Sequence, residues 1–179
     1  MPLRLIRRDI TQMRVELFAD VSRFVNDNYV ELSPSAPATA GAADFLMFSA
    51  DEDDLPELDE MLSRRGETFA CMLDRLREER GLTGPELYKK AWINKSVYSK
   101  IVNNTNYSPS KITAIAFGLA LELPWDAFTA LVGSAGYAMT RTSKFDTVIE
   151  YFVRREKYGI EEINAVLFEL DPELPLIGV

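Results

Sequence analysis

The fold is decided between residues 82 and 101, which read LTGPELYKKAWINKSVYSKI. Thr83 stands at the start of a short amphipathic run, and Glu86 follows three positions later with a proline between them. This is the spacing of a capping box, in which the Thr hydroxyl and the Glu carboxylate each bond to a backbone N–H group at the first turn of a helix. Asn94, another residue that caps helices well, precedes a second amphipathic run. The segment therefore predicts two short helices joined by a tight turn, which is the arrangement of a helix-turn-helix.

Apolar residues at helical spacing continue on both sides of this segment. Upstream, they predict a helix that begins near Phe69 and stops at Gly81. Downstream, they predict four more helices, at residues 112–119, from Pro124 to Gly136, from Ser143 onward, and at residues 160–170. No segment after residue 60 predicts a strand. The predicted fold class is therefore mainly α, a multi-helix bundle that contains a helix-turn-helix.

The first 60 residues have a different character. Residues 2–10 alternate loosely between apolar and charged side chains and predict a short strand at residues 3–7, and residues 15–29 predict a helix. Residues 32–43 are rich in Ser, Pro, Ala and Gly, and residues 51–60 are strongly acidic. Both features are typical of a linker. The predicted division is an N-terminal appendage (1–31), an acidic linker (32–60) and an all-α helix-turn-helix domain with two extra C-terminal helices (61–179).

The composition excludes most catalytic and metal chemistry. The chain has no histidine, and Cys71 is its single cysteine. Neither a His-dependent catalytic triad nor a His/Cys zinc site can therefore be built. The chain also lacks a Gly-rich phosphate loop. We expect no catalytic residue, no cofactor-binding residue and no metal site, so the chain is predicted not to be an enzyme.

Several features predict a cytoplasmic protein. The lone cysteine forms no intrachain disulfide, which fits a reducing compartment. The N-terminus lacks the pattern of a secretory signal. No apolar run reaches the roughly 18 residues that a membrane-spanning helix needs. We therefore expect no contact with a membrane.

Charge is distributed unevenly along the chain. The formal net charge is −8, which argues against a general nucleic-acid coat. Residues 81–121 nevertheless carry five lysines and one acid, a balance of 5 − 1 = +4. Residues 122–179 carry five basic and ten acidic residues, a balance of 5 − 10 = −5. A basic island within an acidic protein indicates a local contact with DNA or another anion.

The region from Phe69 to Leu131 resembles the Cro/repressor-like (Xre) superfamily. The residues that carry this resemblance are Leu73, Leu76, residues 79–83, Glu86, Leu87, residues 93–101 and residues 108–110. The resemblance implies that the second helix of the motif enters the major groove of DNA.

From Glu67 to the C-terminus, the chain resembles more closely the helical domain that follows a macro (ADP-ribose-binding) domain in some bacterial proteins. The carrying segments are residues 96–101, 108–111, 135–138 and 143–146. Residues 2–11 and 17–30 are similar to the first strand and the final helix of a macro domain, and a chance likeness is the alternative. The ligand-binding body of that domain is missing, so ADP-ribose binding is not implied.

The Xre resemblance places the candidate DNA contacts. Lys95, Ser96 and Ser99 are expected to face base edges. Four further residues are expected to lie toward the phosphates: Lys100, Asn103, Asn104 and Lys111. Lys89 and Lys90 either contact DNA or compensate the dipole at the end of the preceding helix.

Two departures from the superfamily pattern bear on DNA recognition. Trp92 occupies the turn position that usually holds glycine, and a bulky side chain tolerates positive φ poorly, so we expect a reshaped turn. The second helix also begins without an arginine, the commonest reader of guanine.

Two functions follow from these observations. The first is a transcriptional regulator that binds double-stranded DNA through the helix-turn-helix, with homodimer contacts made by the C-terminal helices. The alternative is a non-enzymatic adaptor that keeps the scaffold, has lost DNA binding and recognises a protein partner. The acidic total, Trp92 in the turn and the missing arginine favour the adaptor.

Overall fold

The computed structural model describes residues 3–31, 67–104 and 107–178, with side chains described from residue 14 onward in those ranges. This part of the chain is mainly helical and contains eight α-helices and no strand. The helices are α1 (Leu3–Asn28), α2 (Phe69–Glu79), α3 (Gly84–Lys90), α4 (Lys95–Asn103), α5 (Lys111–Ala120), α6 (Trp125–Ser134), α7 (Lys144–Arg154) and α8 (Ile160–Leu170). The predicted mainly α class is confirmed for these residues.

The short strand predicted at residues 3–7 is wrong, because these residues form the first turns of α1. Leu3, Ile6 and Ile10 recur at intervals of three and four, the spacing of one helix face. Over only five residues, this helical spacing of apolar side chains resembled the alternation of a strand. The helix predicted at residues 15–29 is confirmed as the C-terminal part of α1, whereas the predicted linker (32–60) lies outside the described residues.

Helix α1 packs against α7 and α8. Its Val21 and Val25 are buried, and the Phe24 ring meets the Tyr151 ring edge-on with centroids 5.4 Å apart. Beyond the helix, the Val30 N–H donates to the Arg141 carbonyl at 2.9 Å. The N-terminal helix therefore contributes to the same hydrophobic core as the C-terminal helices.

The remaining helices enclose the largest buried side chains. Phe117 on α5 and Phe128 on α6 are both fully buried. Each such side chain contributes roughly 1.5–3 kcal/mol of hydrophobic stabilisation. Helices α5 and α6 approach closely at Gly118, where an added Cβ would lie 2.7 Å from the Phe128 ring. A side chain at this position would force the two helices apart.

The predicted N-caps are confirmed. Thr83 Oγ1 accepts from the Glu86 N–H at 3.4 Å, and the Glu86 carboxylate accepts from the Thr83 N–H at 2.8 Å, which completes the capping box. Asn94 Oδ1 accepts from the Ser96 N–H at 3.0 Å. Ser143 Oγ accepts from the Asp146 N–H at 3.2 Å. These local bonds define where α3, α4 and α7 begin.

Candidate nucleic-acid interface

Helices α3 and α4 pack through a small aromatic contact. The Tyr88 and Tyr98 rings lie 5.6 Å apart, and Tyr98 lies so close to Gly84 that an added Cβ there would be 2.8 Å from the Tyr98 hydroxyl. Burial raises the pKa of the Tyr98 hydroxyl. Leu87 on α3 and Ile101 on α4 are fully buried beneath this contact. The core thus determines which side of α4 remains exposed.

Five of the predicted DNA-contacting residues share the exposed side of α4: Lys95, Ser96, Ser99, Lys100 and Asn103. Neighbouring members of this group are one, three or four positions apart in sequence, as expected for residues on one face of a helix. Residues 87–121 contain no Asp or Glu. Both lysines on this face are exposed, and neither forms an ion pair with another residue in the described part of the chain.

The polar groups on this face are already ordered by local hydrogen bonds. Ser96 Oγ donates to Asn94 Oδ1 at 3.1 Å, and Asn103 Nδ2 donates to Ser99 Oγ at 2.9 Å. These bonds hold the Asn103 amide along the helix surface. Asn104 ends α4 as its C-cap and is exposed.

Two of the predicted lysines are instead held by acidic partners distant in sequence. Lys111 Nζ lies 2.5 Å from Asp146 Oδ2, and the Asp146 side chain is only 2% exposed. The same oxygen accepts from the Thr140 N–H at 2.9 Å. Lys90 Nζ lies 2.6 Å from the Glu122 carboxylate, whose pKa this contact lowers. Lys89 is exposed at the end of α3, and within the described residues its side chain forms no hydrogen bond or ion pair with α4.

The turn between α3 and α4 is not reshaped, contrary to expectation. Trp92 adopts φ +56 and occupies the left-handed position itself. The Ile93 N–H donates to the Tyr88 carbonyl at 2.8 Å, and the Trp92 N–H donates to the Lys89 carbonyl at 3.1 Å. This pair of bonds is the Schellman motif that glycine ordinarily completes.

The C-terminal segment lies against this turn. An added Cβ on Gly178 would be 2.5 Å from Trp92 Cβ. Ile177 is fully buried, its N–H donates to Asn164 Oδ1 at 2.8 Å, and its carbonyl accepts from Asn164 Nδ2 at 2.9 Å. Asn164 on α8 therefore holds the end of the chain beside the start of α4.

The sequence did not predict the exposure of Val102 on α4 or the ion pair between Asp146 and Lys111. Val102 is 43% exposed next to the buried Ile101, and an apolar side chain at such a site can contact a thymine methyl group. Its exposure was foreseeable from its position one residue beyond the buried stripe. The role of Asp146 as partner of Lys111 had no local signal, because the two residues are 35 positions apart.

Comparison with known proteins returned no matching family model, no matching curated protein and no matching solved structure. None of the described helices is both long and apolar enough to cross a membrane. In the same part of the chain, no group of three His, Cys, Asp or Glu side chains could hold a metal ion.

Proposed function

We propose that the chain is a DNA-binding regulator whose helix-turn-helix consists of α3, the turn at Trp92 and α4. The carrying observation is the exposed face of α4, on which Lys95 and Lys100 form no ion pair with any described residue and no acid stands nearby in sequence. Lysines presented in this way neutralise phosphates, so Lys95 is reassigned from a base edge to the backbone beside Lys100, while Ser96 and Val102 can approach base edges. This assignment retains the α4 residues as DNA contacts and gives Lys111 and Lys90 structural roles.

The test is a salt titration of binding to fragments from the protein's own genomic neighbourhood. For the native chain we expect affinity to fall steeply as salt rises. The variant Lys95→Glu/Lys100→Glu should lose at least two phosphate contacts. The slope of log affinity against log salt should therefore fall by about 1.8 in magnitude.

A matched control makes the same charge change away from α4. Arg23→Glu/Lys144→Glu alters two exposed residues, one on α1 and one at the start of α7. This variant should keep most of the native affinity and nearly the native salt slope. Equal losses in both double variants would mean that net charge, not the α4 face, governs binding, and the proposal would fail.

The adaptor remains the second candidate, and the exposed apolar side chains near α4 favour it. Trp92 is 47% exposed and Val102 is 43% exposed. Exposed aromatic and aliphatic side chains are typical of the centres of protein interfaces. If the native chain binds no genomic fragment even at low salt, this function replaces the first. Substituting Trp92 should then weaken partner binding more than Lys95→Glu/Lys100→Glu does.

We also propose that the regulator is a homodimer built on α1 and α8. Val15 on α1 is 60% exposed and Phe168 on α8 is 59% exposed. A groove of about 500 Å³ between the two helices carries both signs of charge, from Arg14, Lys157, Glu161, Glu162 and Glu169. A patch with both signs can complement a second copy of itself across a twofold axis.

A further inference from the structure

A cleft of about 740 Å³ lies where several helices end. It is bounded by the C-terminal ends of α2, α3, α5 and α7 and by the N-terminal ends of α6 and α8. The side chains that define its chemistry are Arg80, Lys90, Trp92, Glu122, Glu156 and Tyr158. The DNA-binding proposal assigns no role to this cleft, although Trp92 belongs to both regions.

The backbone is unusual around the cleft. Within the described residues, the non-glycine residues with positive φ are Trp92 (+56), Glu122 (+52) and Glu156 (+54), and all three line the cleft. Each directly follows a helix C-cap, the position that glycine prefers. Gly81 and Gly136 serve the equivalent ends of α2 and α6. Disfavoured conformations that gather at one place are typical of binding sites.

Two carboxylates at the cleft also lie at helix ends where negative charge is unfavourable. Glu122 and Glu156 follow the C-terminal ends of α5 and α7, where the partial charge is negative and cations are favoured. Glycine would avoid both the backbone strain and this repulsion. Both glutamates line the cleft.

The charges around the cleft cancel in part and leave one of each sign. Lys90 pairs with the Glu122 carboxylate at 2.6 Å. Arg80 donates to the Glu122 backbone carbonyl at 3.1 Å and forms no ion pair in the described part of the chain, although its charge helps to lower the pKa of Glu122. The exposed Glu156 carboxylate likewise has no ion pair there. The cleft therefore offers one unmatched cation, on the end of α2, and one unmatched anion, beyond the end of α7.

Both unmatched charges act on the same ring. Burial raises the pKa of the Tyr158 hydroxyl, Glu156 raises it further, and Arg80 lowers it. The hydroxyl donates to the Leu123 carbonyl at 3.1 Å, which fixes the ring in the wall of the cleft. Trp92 provides a second aromatic surface and is 47% exposed. Aromatic surfaces between opposite charges suit a small ligand that itself carries both charges.

We propose that this cleft binds a free amino acid or a similar small zwitterion. The ligand carboxylate lies at the Arg80 guanidinium, its ammonium group lies at Glu156, and its side chain contacts Trp92. Helix α8 begins at the cleft without a side-chain cap, so its first N–H groups add to the positive potential there. Arginine presents a planar pair of donors to a carboxylate, which fits this assignment.

The test is titration of the full chain with each of the twenty common L-amino acids separately. Trp125→Phe leaves Trp92 as the only tryptophan, so its fluorescence reports events in the cleft. We expect saturable binding of at least one amino acid. At about ten times its Kd, the ligand should raise Tm by about 3–6 °C. Glu156→Gln and Arg80→Gln should each weaken binding at least tenfold.

Two controls are needed. One compares the amino acid with ligands that carry only one of its charges, and the other tests a substitution outside the cleft. Glu173→Gln, at an exposed glutamate outside the cleft, should leave Kd unchanged. Acetate and ethylamine each supply one charge only and should bind at least tenfold more weakly than the amino acid. The proposal is overturned if no amino acid binds, if either half binds as well as the whole, or if both cleft variants bind normally. None of these readouts involves DNA, so the outcome is independent of the DNA-binding proposal.

Discussion

Trp92 shows how one residue can keep a conformation that its side chain disfavours. A non-glycine residue in the left-handed region costs about 1–2 kcal/mol. The Schellman bonds of α3 and the contact with Gly178 hold it there. The turn therefore depends on its surroundings for its shape, which glycine would adopt without help.

The strain at this position is measurable by comparing two small residues. Because both remove the indole, Trp92→Gly and Trp92→Ala differ chiefly in backbone preference. We expect the Gly variant to be more stable than the Ala variant by about 1 kcal/mol in denaturant unfolding.

At Ser99, inside α4, the order should reverse. Ser99→Ala should be more stable than Ser99→Gly by about 1 kcal/mol, because a helix interior penalises glycine. The same order at both positions would show that position 92 is not held in the left-handed region.

The capping box of α3 makes a second residue-scale prediction. Thr83→Ala removes the hydroxyl that accepts from the Glu86 N–H and should cost about 1 kcal/mol. In the folded chain, the hydrogen bonds that the Glu86 carboxylate accepts from Thr83 lower the pKa of Glu86. The stabilisation from the charged carboxylate is therefore present above the ordinary pKa of Glu and is lost as pH falls through the lowered value.

The measurement is the free energy of unfolding of the native chain and of Thr83→Ala across the acid range. The difference between them should shrink as pH falls through that range. Thr142→Ala removes an exposed hydroxyl that caps no helix and should change stability by less than about 0.5 kcal/mol at every pH. A pH-independent cost of Thr83→Ala would contradict the role of Glu86.

At the scale of elements, the Lys111–Asp146 pair joins the first turn of α5 to the first turn of α7. The Asp146 side chain is nearly inaccessible, so removing its cation would leave a buried charge. Lys111→Met should therefore cost about 2–4 kcal/mol. Thermal and denaturant unfolding measure this loss.

A matched substitution tests whether burial is the cause. Lys144 is exposed and its ammonium group is 3.9 Å from Asp171. Lys144→Met should cost less than about 1 kcal/mol, as expected for a surface pair. Similar costs at the two lysines would mean that the Lys111–Asp146 pair contributes no more than a surface pair.

At the scale of the whole molecule, the packing of α1 on α7 and α8 creates a composite surface that neither part has alone. Phe168→Glu places a charge on the exposed apolar side of α8 and should weaken dimerisation at least about tenfold. Sedimentation over a range of protein concentrations measures the effect. Val102→Glu makes the same kind of change on α4 and should leave association unaltered. A native chain that stays monomeric at high concentration would rule out the dimer.

The sequence by itself determined the features that depend on neighbours a few residues apart. Capping side chains, the glycines after α2 and α6, and the spacing of apolar residues predicted the seven helices that the structure describes after residue 60. The grouping of Lys95, Ser96, Ser99, Lys100 and Asn103 on one face also followed from helical spacing alone. At residues 3–7, a segment too short to distinguish the two periods led to the wrong element.

Only the tertiary structure decided which charges remain available and where strained residues meet. Lys111 and Asp146 are 35 positions apart, and Arg80 and the Glu122 carbonyl are 42 positions apart. Their contacts depend on the three-dimensional packing of helices, which local spacing does not encode. The same packing brings Trp92, Glu122 and Glu156, each unremarkable within its own segment, to a single cleft. Helix periodicity is a property of neighbouring residues, whereas a site is made by surfaces that meet only after the chain has folded.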